Sequence, residues 1–437
     1  MESTAVAIVR ELLAAGHEAR FAGGCVRDLL RGVAPKDYDI ATSARPDEIL
    51  RLYPKADAIG AHFGVMLVKR GGHAYEVATF REDGDYHDGR RPTSVTFSDA
   101  VADARRRDFT INGMFYDPVA AEVIDHVAGR ADLEARLIRS IGRPEDRFRE
   151  DYLRLLRAIR FATLLEFEIE PSTWQAIRGV APHITEISPE RIREELDKIW
   201  KSPHRLRGFD LLVESGLMRA ILPEVLDLQG CEQPPQFHPE GDVFVHTRLM
   251  LSLLPPDASL PLVLSVLFHD IAKPATFSLD PAEGRIRFNG HEKVGAEMTA
   301  TILRRLRYPN AVIDAVVSGV AHHMQFKDVT KMRTATLKRF MARDHFADEL
   351  ELHRVDCLGS HRLLGNYDYL LAKQEEFAAA PLLPKWFLQG GDLIAQGWRP
   401  GPDLGSLLTE AHDFQLDGTH TSREDALTWL KEKKRNA

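Results

Sequence analysis

The stretch Phe21-Ala22-Gly23-Gly24-Cys25-Val26-Arg27-Asp28, with Lys36-Asp37-Tyr38-Asp39-Ile40 close behind it, decides the fold. Phe21-Ala22 reads as the end of an apolar strand, Gly23-Gly24 as a turn, and the residues up to Leu30 as a helix. Glycines at such a turn let the backbone approach a phosphate, while helix-terminal N–H groups and Arg27 supply positive potential. Asp37 and Asp39 read as residues of one strand, where positions two apart project from the same face, so their carboxylates converge. Like charges so close are costly unless a cation neutralises them. Hard oxygen donors of this kind suit magnesium held together with substrate phosphates.

Around this stretch, β-like runs at Gly64–Lys69, Ala74–Phe80, Ser94–Phe97 and Glu122–Asp125 alternate with helical stretches at Ala5–Ala15 and Pro46–Leu52. The pattern predicts an α+β domain over residues 1–141. From Pro144 a 3.6-residue period dominates, first over Glu150–Leu164 and then over Pro189–Trp200, which opens on a Ser188-Pro189 start signal. Breaks at Gln229–Asp242 and Phe387–Leu404, rich in Gly, Pro and polar residues, mark domain edges. The expected division is 1–141, 142–228, 229–365 and 366–437, the last three mainly α-helical. Thr421-Ser422-Arg423-Glu424 reads as a capping box opening a final helix.

The 437 residues exceed one hydrophobic core, and 44% hydrophobic with 28% charged residues is ordinary globular composition. No run approaches the ~20 apolar residues that span a bilayer, so no membrane partner and a cytoplasmic location are expected. Cys25, Cys231 and Cys357 are widely spaced and form no CxxC pair, which suggests neither a zinc ribbon nor a disulfide framework. A net charge of −8 argues against indiscriminate coating of nucleic acid. Nothing in the sequence specifies an oligomeric state.

The stretch from Phe21 through Asp39, continued in Tyr75-Glu76-Val77-Ala78-Thr79-Phe80-Arg81, resembles the signature of the class II tRNA nucleotidyltransferases and bacterial poly(A) polymerases, a branch of the DNA polymerase β-like nucleotidyltransferases. The resemblance implies that Asp37 and Asp39 hold magnesium, that Glu76 is a third carboxylate on a neighbouring strand, and that Gly23, Gly24 and Arg27 bind nucleotide. Arg105-Arg106-Arg107-Asp108-Phe109-Thr110-Ile111-Asn112 resembles the family's second motif, with Arg107 on the incoming nucleotide. Gly113 stands where alanine is more usual, which would loosen a following helix.

In Glu150-Asp151-Tyr152-Leu153-Arg154-Leu155-Leu156-Arg157-Ala158-Ile159-Arg160, Asp151 and Arg154 stand three apart and would share a helix face. Cytosine and adenine both offer an amino donor beside a ring-nitrogen acceptor, whereas uracil and guanine present a carbonyl there. One carboxylate and one guanidinium therefore accept C and A. The resemblance assigns this reading to Asp151 and Arg154, with Arg157 and Arg160 nearby on the nucleotide. Tyr152 replaces a common proline, and Pro189–Leu196 resembles a later motif that braces the reading helix.

Adjacent His269-Asp270 at the end of an apolar helix, with His246, His291, His322 and Asp356, resembles the HD phosphohydrolase pattern. Imidazoles mixed with carboxylates suit a divalent metal that presents hydroxide to a phosphoester. His323 beside His322 leaves that ligand ambiguous, and the identity of this second metal is not specified.

The resemblance implies CCA addition to tRNA 3′ ends from CTP and ATP without a template, with release of pyrophosphate and a possible second, phosphoester-cleaving activity. CC-only, A-only and poly(A) synthesis share these motifs. Gly60-Ala61-His62-Phe63-Gly64-Val65 lacks the Arg-Phe-Arg-type run of the poly(A) branch, and the connector Glu82–Ser98 resembles the flexible loop of enzymes that complete CCA. An HD phosphohydrolase with a non-catalytic RNA-binding head is the alternative from another class. The intact Asp37/Asp39 pair argues against it.

Overall fold

A computed structural model of the protein describes residues 1–60, 63–84, 94–234, 236, 238–280 and 285–435. The chain forms two compact units, one of Met1–Leu226 with Arg305–Arg307 and one of Asp227–Arg304 with Tyr308–Ala437.

Among its described residues the first unit holds eleven strands, nine in its amino-terminal part followed by the short parallel pair Leu137–Ile138 and Glu168–Ile169, together with a series of helices. The first nine strands are β1 (Ala19–Ala22), β2 (Asp39–Thr42), β3 (Asp57–Gly60), β4 (Val65–Arg70), β5 (His73–Thr79), β6 (Arg81–Asp83), β7 (Val95–Phe97), β8 (Phe115–Asp117) and β9 (Glu122–Ile124). Seven of them form one sheet in the order β3-β4-β5-β2-β1-β8-β9, and β6 pairs with β7 in a separate ribbon. All neighbours in the large sheet run antiparallel except β2 and β5, where Ile40 lies opposite Val77. The helices are α1 (Glu2–Ala14), α2 (Gly24–Leu30), α3 (Pro46–Leu52), α4 (Ala100–Arg105), α5 (Gly129–Glu134), α6 (Pro144–Glu150), α7 (Leu153–Leu165), α8 (Pro171–Val180) and α9 (Pro189–Trp200), followed by Arg205–Glu214, Leu217–Ile221 and Pro223–Leu226. Ala22, Ala41, Phe80, Ala100, Ala104 and Phe115 form a buried cluster. Four of those six are alanines, so α4 and the sheet approach closely while two phenylalanine rings, 5.8 Å apart, fill the remaining volume.

The helical stretch expected at Glu150–Leu164 is two helices. Asp151 adopts an extended conformation (φ −150°, ψ 104°) between α6 and α7, and its carboxylate accepts the N–H of Leu153 at 3.0 Å. An aspartate that bonds the backbone two residues on competes with helix propagation, which is why the run breaks there. Beyond it α7 is buried on nearly every side, including Leu155, Leu156, Ala158 and Ile159. It packs on α9, where Arg160 and Glu195 form a buried ion pair at 2.8 Å.

In the second unit, Leu260–Phe268 is buried at every residue but Pro261 and is capped by Ser259, whose hydroxyl accepts the N–H of Leu262 at 3.1 Å. It packs with the helices Val243–Leu253, Asn310–His322 and Phe346–Gly359. A further buried cluster, Leu388, Leu393, Leu407, Ala411, Ala426 and Leu430, organises the last helices. The final one, Arg423–Arg435, is capped one residue later than the sequence suggests: the Asp425 carboxylate, not Glu424, accepts the N–H groups of Thr421 and Ser422. Asp425 N–H in turn donates to the Ser422 hydroxyl. Among the described residues no helix is long and apolar enough to cross a membrane.

Gly113 does not open a helix. It ends a short 3₁₀ turn at Thr110–Asn112, and a Cβ added to it would lie 2.7 Å from Val127 Cγ2 and 2.9 Å from Ile141 Cδ1. Gly113→Ala is therefore expected to destabilise the protein by about 1–3 kcal/mol through overpacking, read from the midpoint of chemical denaturation. An unchanged or raised midpoint would show that the neighbouring side chains yield freely.

Candidate active site

Gly23, at the junction of β1 and α2, has φ +76°, a conformation that side chains oppose. A Cβ there would lie 3.3 Å from Arg107 Nη1 and 3.7 Å from Asp39 Oδ2, so glycine keeps open the gap between a cation and a carboxylate. Asp39 begins β2, but Asp37 precedes the strand, so the two acids meet from a strand end and its approach rather than from one pleat. Glu76 is exposed on β5, and the Ile40–Val77 register sets it beside Asp39 on the adjacent parallel strand. Burial, then Glu76 and Asp37, push the Asp39 carboxyl up to about 6, against the pull of Arg107. These are hard oxygen donors whose mutual repulsion a divalent cation would relieve, so the residues present fit such an ion.

The acids open onto a cavity of ≈ 620 Å³ lined by Gly23, Gly24, Arg27, Asp37, Asp39, Arg107, Asp151, Arg154, Arg157 and Arg160, and also by Arg81, Arg106, Asp108, Asn112, Phe161 and Arg191. Eight arginines against four aspartates make this a positive cavity in a chain of net charge −8. Each guanidinium is anchored by a short-range partner. Arg27 donates to Asn112 Oδ1 at 2.8 Å and to Asp28 at 2.9 and 3.0 Å. Arg107 donates to Asp103 Oδ2 at 2.8 Å, and Arg157 to Asp108 Oδ2 at 2.7 Å. Burial alone would raise the Asp108 carboxyl, but the charges of Arg157 and Arg154 and the Arg157 hydrogen bond outweigh it and bring it down to about 2. Burial and the repulsion of Arg157 lower Arg160 to about 10, with Glu195 opposing.

Asp151 and Arg154 both reach this cavity, but not as an i,i+3 pair on one helix. Arg154, in the first turn of α7, donates to Glu150 Oε2 at 2.6 Å and to the carbonyl of Arg147 at 2.8 Å. Asp151 is held from α9: Arg191 Nη2 donates to its Oδ2 at 2.8 Å. Arg191 lies within the Pro189–Leu196 motif read above as bracing only, and its entry into the cavity is visible only once α9 is packed on α7. Residues 61–62 of the Gly60–Val65 segment and 85–93 of the Glu82–Ser98 connector lie outside the described residues.

The second unit gathers a histidine-aspartate centre. His246, His269 and Asp356 form one group of possible metal donors, and Asp270, His291 and His323 another. Of the two neighbouring histidines, His323 is the one that joins this cluster. Its Nε2 lies 3.1 Å from His291 Nε2, whereas His322, expected in the set, faces Ser318 and Glu349. The Nδ1 atoms of His269, His291 and His323 each sit within 2.9 Å of a backbone carbonyl, at Val266, Phe288 and Val320. Protons on those Nδ1 atoms leave lone pairs on the Nε2 atoms, and lone pairs 3.1 Å apart repel unless a cation or proton lies between them. His269 Nε2 is buried without a hydrogen bond; it faces Asp270 Oδ2 at 3.1 Å off the bonding direction. Burial, then the charges of neighbouring His269 and His291, take His323 down to about 3, leaving it a neutral donor. The donor set fits a divalent cation. Asp270, His291, His323 and Asp356 of this set line a cavity of ≈ 650 Å³ whose lining also includes Lys273, Arg285, Arg287 and Lys327.

Three family models match the chain: a poly A polymerase head domain at residues 19–139, a "probable RNA and SrmB-binding site of polymerase A" at 166–228, and an HD domain at 244–355. Over 220 residues the chain is 45% identical to the CCA-adding enzyme of Geobacillus stearothermophilus, covering 50% of this chain and 54% of that protein. It thus spans about half the length of several curated relatives it matches. Other matches run nearly end to end. The CCA-adding enzyme of Lactobacillus helveticus is 40% identical over 424 residues (97% of this chain, 95% of that protein), and the A-adding tRNA nucleotidyltransferase of Deinococcus radiodurans 36% over 436 (94% and 95%). Among solved structures, the Bacillus stearothermophilus CCA-adding enzyme in complex with CTP superposes with a TM-score of 0.76 at 26% identity, over 99% of this chain and 97% of that one.

The raised Asp39 carboxyl has a direct thermodynamic consequence. The folded state binds its proton more tightly than the unfolded chain, so stability falls as pH rises from near 3.8 to about 6, and the full penalty persists above that. Magnesium is expected to raise the melting temperature by a few degrees at pH 7.5 and by less at pH 5. Asp39→Asn should raise the metal-free melting temperature at pH 7.5 and shrink the magnesium increment; an identical increment in the variant would remove Asp39 from the cation site.

Proposed function

The chain belongs to the tRNA nucleotidyltransferase family that includes the CCA-adding and A-adding enzymes, with an appended HD domain, and on that premise we propose that it adds CCA to tRNA 3′ ends from CTP and ATP, releasing pyrophosphate. The observation that carries the reading is that Asp37, Asp39, Asp151 and Arg154 line one positive cavity together. Asp37, Asp39 and Glu76 would hold magnesium, which when bound supplies charge that activates the ribose hydroxyl and neutralises the leaving pyrophosphate.

The remaining work falls to the chain's own side chains. The open space at Gly23 admits a phosphate oxygen beside Arg107, and Arg27, Arg157 and Arg160 supply potential along the triphosphate. Asp151 accepts the amino group of cytosine or adenine while Arg154 donates to the neighbouring ring nitrogen. The terminal 3′ oxygen then bonds to the α-phosphorus as the bond to the bridging oxygen breaks. In this reading residues 1–141 carry the chemistry, 142–228 select nucleotide and bind RNA, 229–365 form the HD domain and 366–437 a helical tail. Action on tRNA implies a cytoplasmic location.

A-only addition is the second reading, favoured by the nearly end-to-end match to the Deinococcus protein. Transcripts ending before C, after C and after CC, each offered a single labelled nucleotide, separate the two. CTP incorporation followed by one A is expected; use of ATP alone on the CC-ending transcript would assign A-only addition, and long A tails poly(A) synthesis. Asp39→Ala should lower incorporation by at least ~10³-fold, and near-wild-type incorporation in that variant would refute the assignment of the metal site.

For the HD centre we propose a metal-dependent activity on 2′,3′-cyclic phosphates or phosphomonoesters, supported by the cationic lining at Lys273, Arg285, Arg287 and Lys327. The full-length protein loaded with manganese or nickel is expected to hydrolyse such substrates. His323→Ala should abolish turnover and lower bound metal, while His322→Ala retains both. Metal binding without turnover of any phosphoester would leave a structural centre.

A further inference from the structure

We infer that Arg191 is a specificity-determining positioning residue: it holds Asp151 in the orientation that reads the base. The inference rests on the proposed reading of cytosine and adenine by Asp151 and Arg154.

Asp151 has no helix to aim it, since it lies in the extended joint between α6 and α7. Its carboxylate is oriented by two donors from different directions. The N–H of Leu153 donates to Oδ1 at 3.0 Å, and Arg191, forty residues on, brings Nη2 to Oδ2 at 2.8 Å and Nη1 to Oδ1 at 3.4 Å. Both side chains are only partly exposed, 21% for Arg191 and 15% for Asp151, so the pair is sheltered from the screening that weakens surface ion pairs. The near-parallel approach of two guanidinium nitrogens to two carboxylate oxygens fixes the plane of the carboxylate as well as its position. The lone pairs left over define where an exocyclic amino group must arrive.

Charge supplies the second half of the selectivity. A carboxylate paired with a guanidinium is an acceptor only, so a carbonyl oxygen of uracil or guanine meets an unpaired negative oxygen. Arg154 is oriented independently, by Glu150 and the Arg147 carbonyl. Donor and acceptor of the reading pair are thus set by separate anchors. Losing Arg191 frees the acceptor alone, and that should change which base is accepted rather than whether a triphosphate binds.

The test uses the full-length protein and a transcript ending in CC, which serves whether the enzyme completes CCA or only its last A, with kcat/KM measured for ATP and for GTP. Arg191→Met is expected to cut the preference for ATP over GTP by about tenfold or more, and Arg191→Lys, which keeps the charge but loses the fork, to fall between. A brace for α7 with no part in selection would lower both nucleotides in parallel and keep their ratio, and that result overturns the inference. Should Arg191→Met fail to fold, the lysine variant decides: a reduced ratio supports the inference and an unchanged one sinks it. Asp151→Ala separates the underlying reading from this one. If it erases the preference while the Arg191 variants retain theirs, Arg191 is wrongly assigned; if it too leaves the ratio intact, the reading of the base by Asp151 fails and the inference with it.

Discussion

The mutual repulsion of carboxylates gathered at the edge of β2 and β5 is the constraint from which the first unit's site follows. Asp39 is partly buried beside Asp37 and Glu76, and its carboxyl is raised accordingly. Perturbed carboxyls of this kind cluster at functional sites, and a cation bound there would offset the cost. The surroundings are built to the same end: Arg107 stands within reach of Asp39, and the absence of a side chain at Gly23 keeps the space between them open. Filling that space with protein would satisfy the charges internally and leave no room for a ligand.

A cavity with eight arginines would repel itself were each one not anchored. Arg27 leans on Asp28 and Asn112, Arg107 on Asp103, Arg157 on Asp108, and Arg160 on Glu195. Anchoring reduces the net field but fixes where each guanidinium points, and preorganised donors lose little entropy when an anion arrives. The anchors come from α2, α4, the Asp108 segment and α9, so the positive cavity is a property of the whole first unit rather than of one motif.

The histidine centre of the second unit solves a related problem with different donors. Backbone carbonyls hold three imidazoles by Nδ1 and aim their Nε2 atoms inward at two aspartates. Neutral nitrogens mixed with carboxylates suit a more polarising cation than an all-oxygen site does. The carbonyls sit three residues before each histidine, so each imidazole folds back on its own turn.

The glycine turn, the Asp37-x-Asp39 pair, the helices at Pro46–Leu52 and Pro189–Trp200, and most strands of the head were legible in the sequence, because turn chemistry and hydrophobic period act over a few residues. Short strands such as β3, β6 and β8 carry too few residues to show a period. The chain order of histidines and aspartates announced the HD centre, but not whether His322 or His323 enters it. That depends on the phase at which one helix ends, which one residue shifts by about 100°. The family resemblance marked out Asp151 and Arg154, and both line the cavity. Their actual supports, Arg191 and Glu150, emerged only from tertiary structure, because the carboxylate that breaks the helix at residue 151 is oriented by a side chain forty positions away. Sequence determined which chemical groups this protein owns; packing of α9 against α7 decided which way they face.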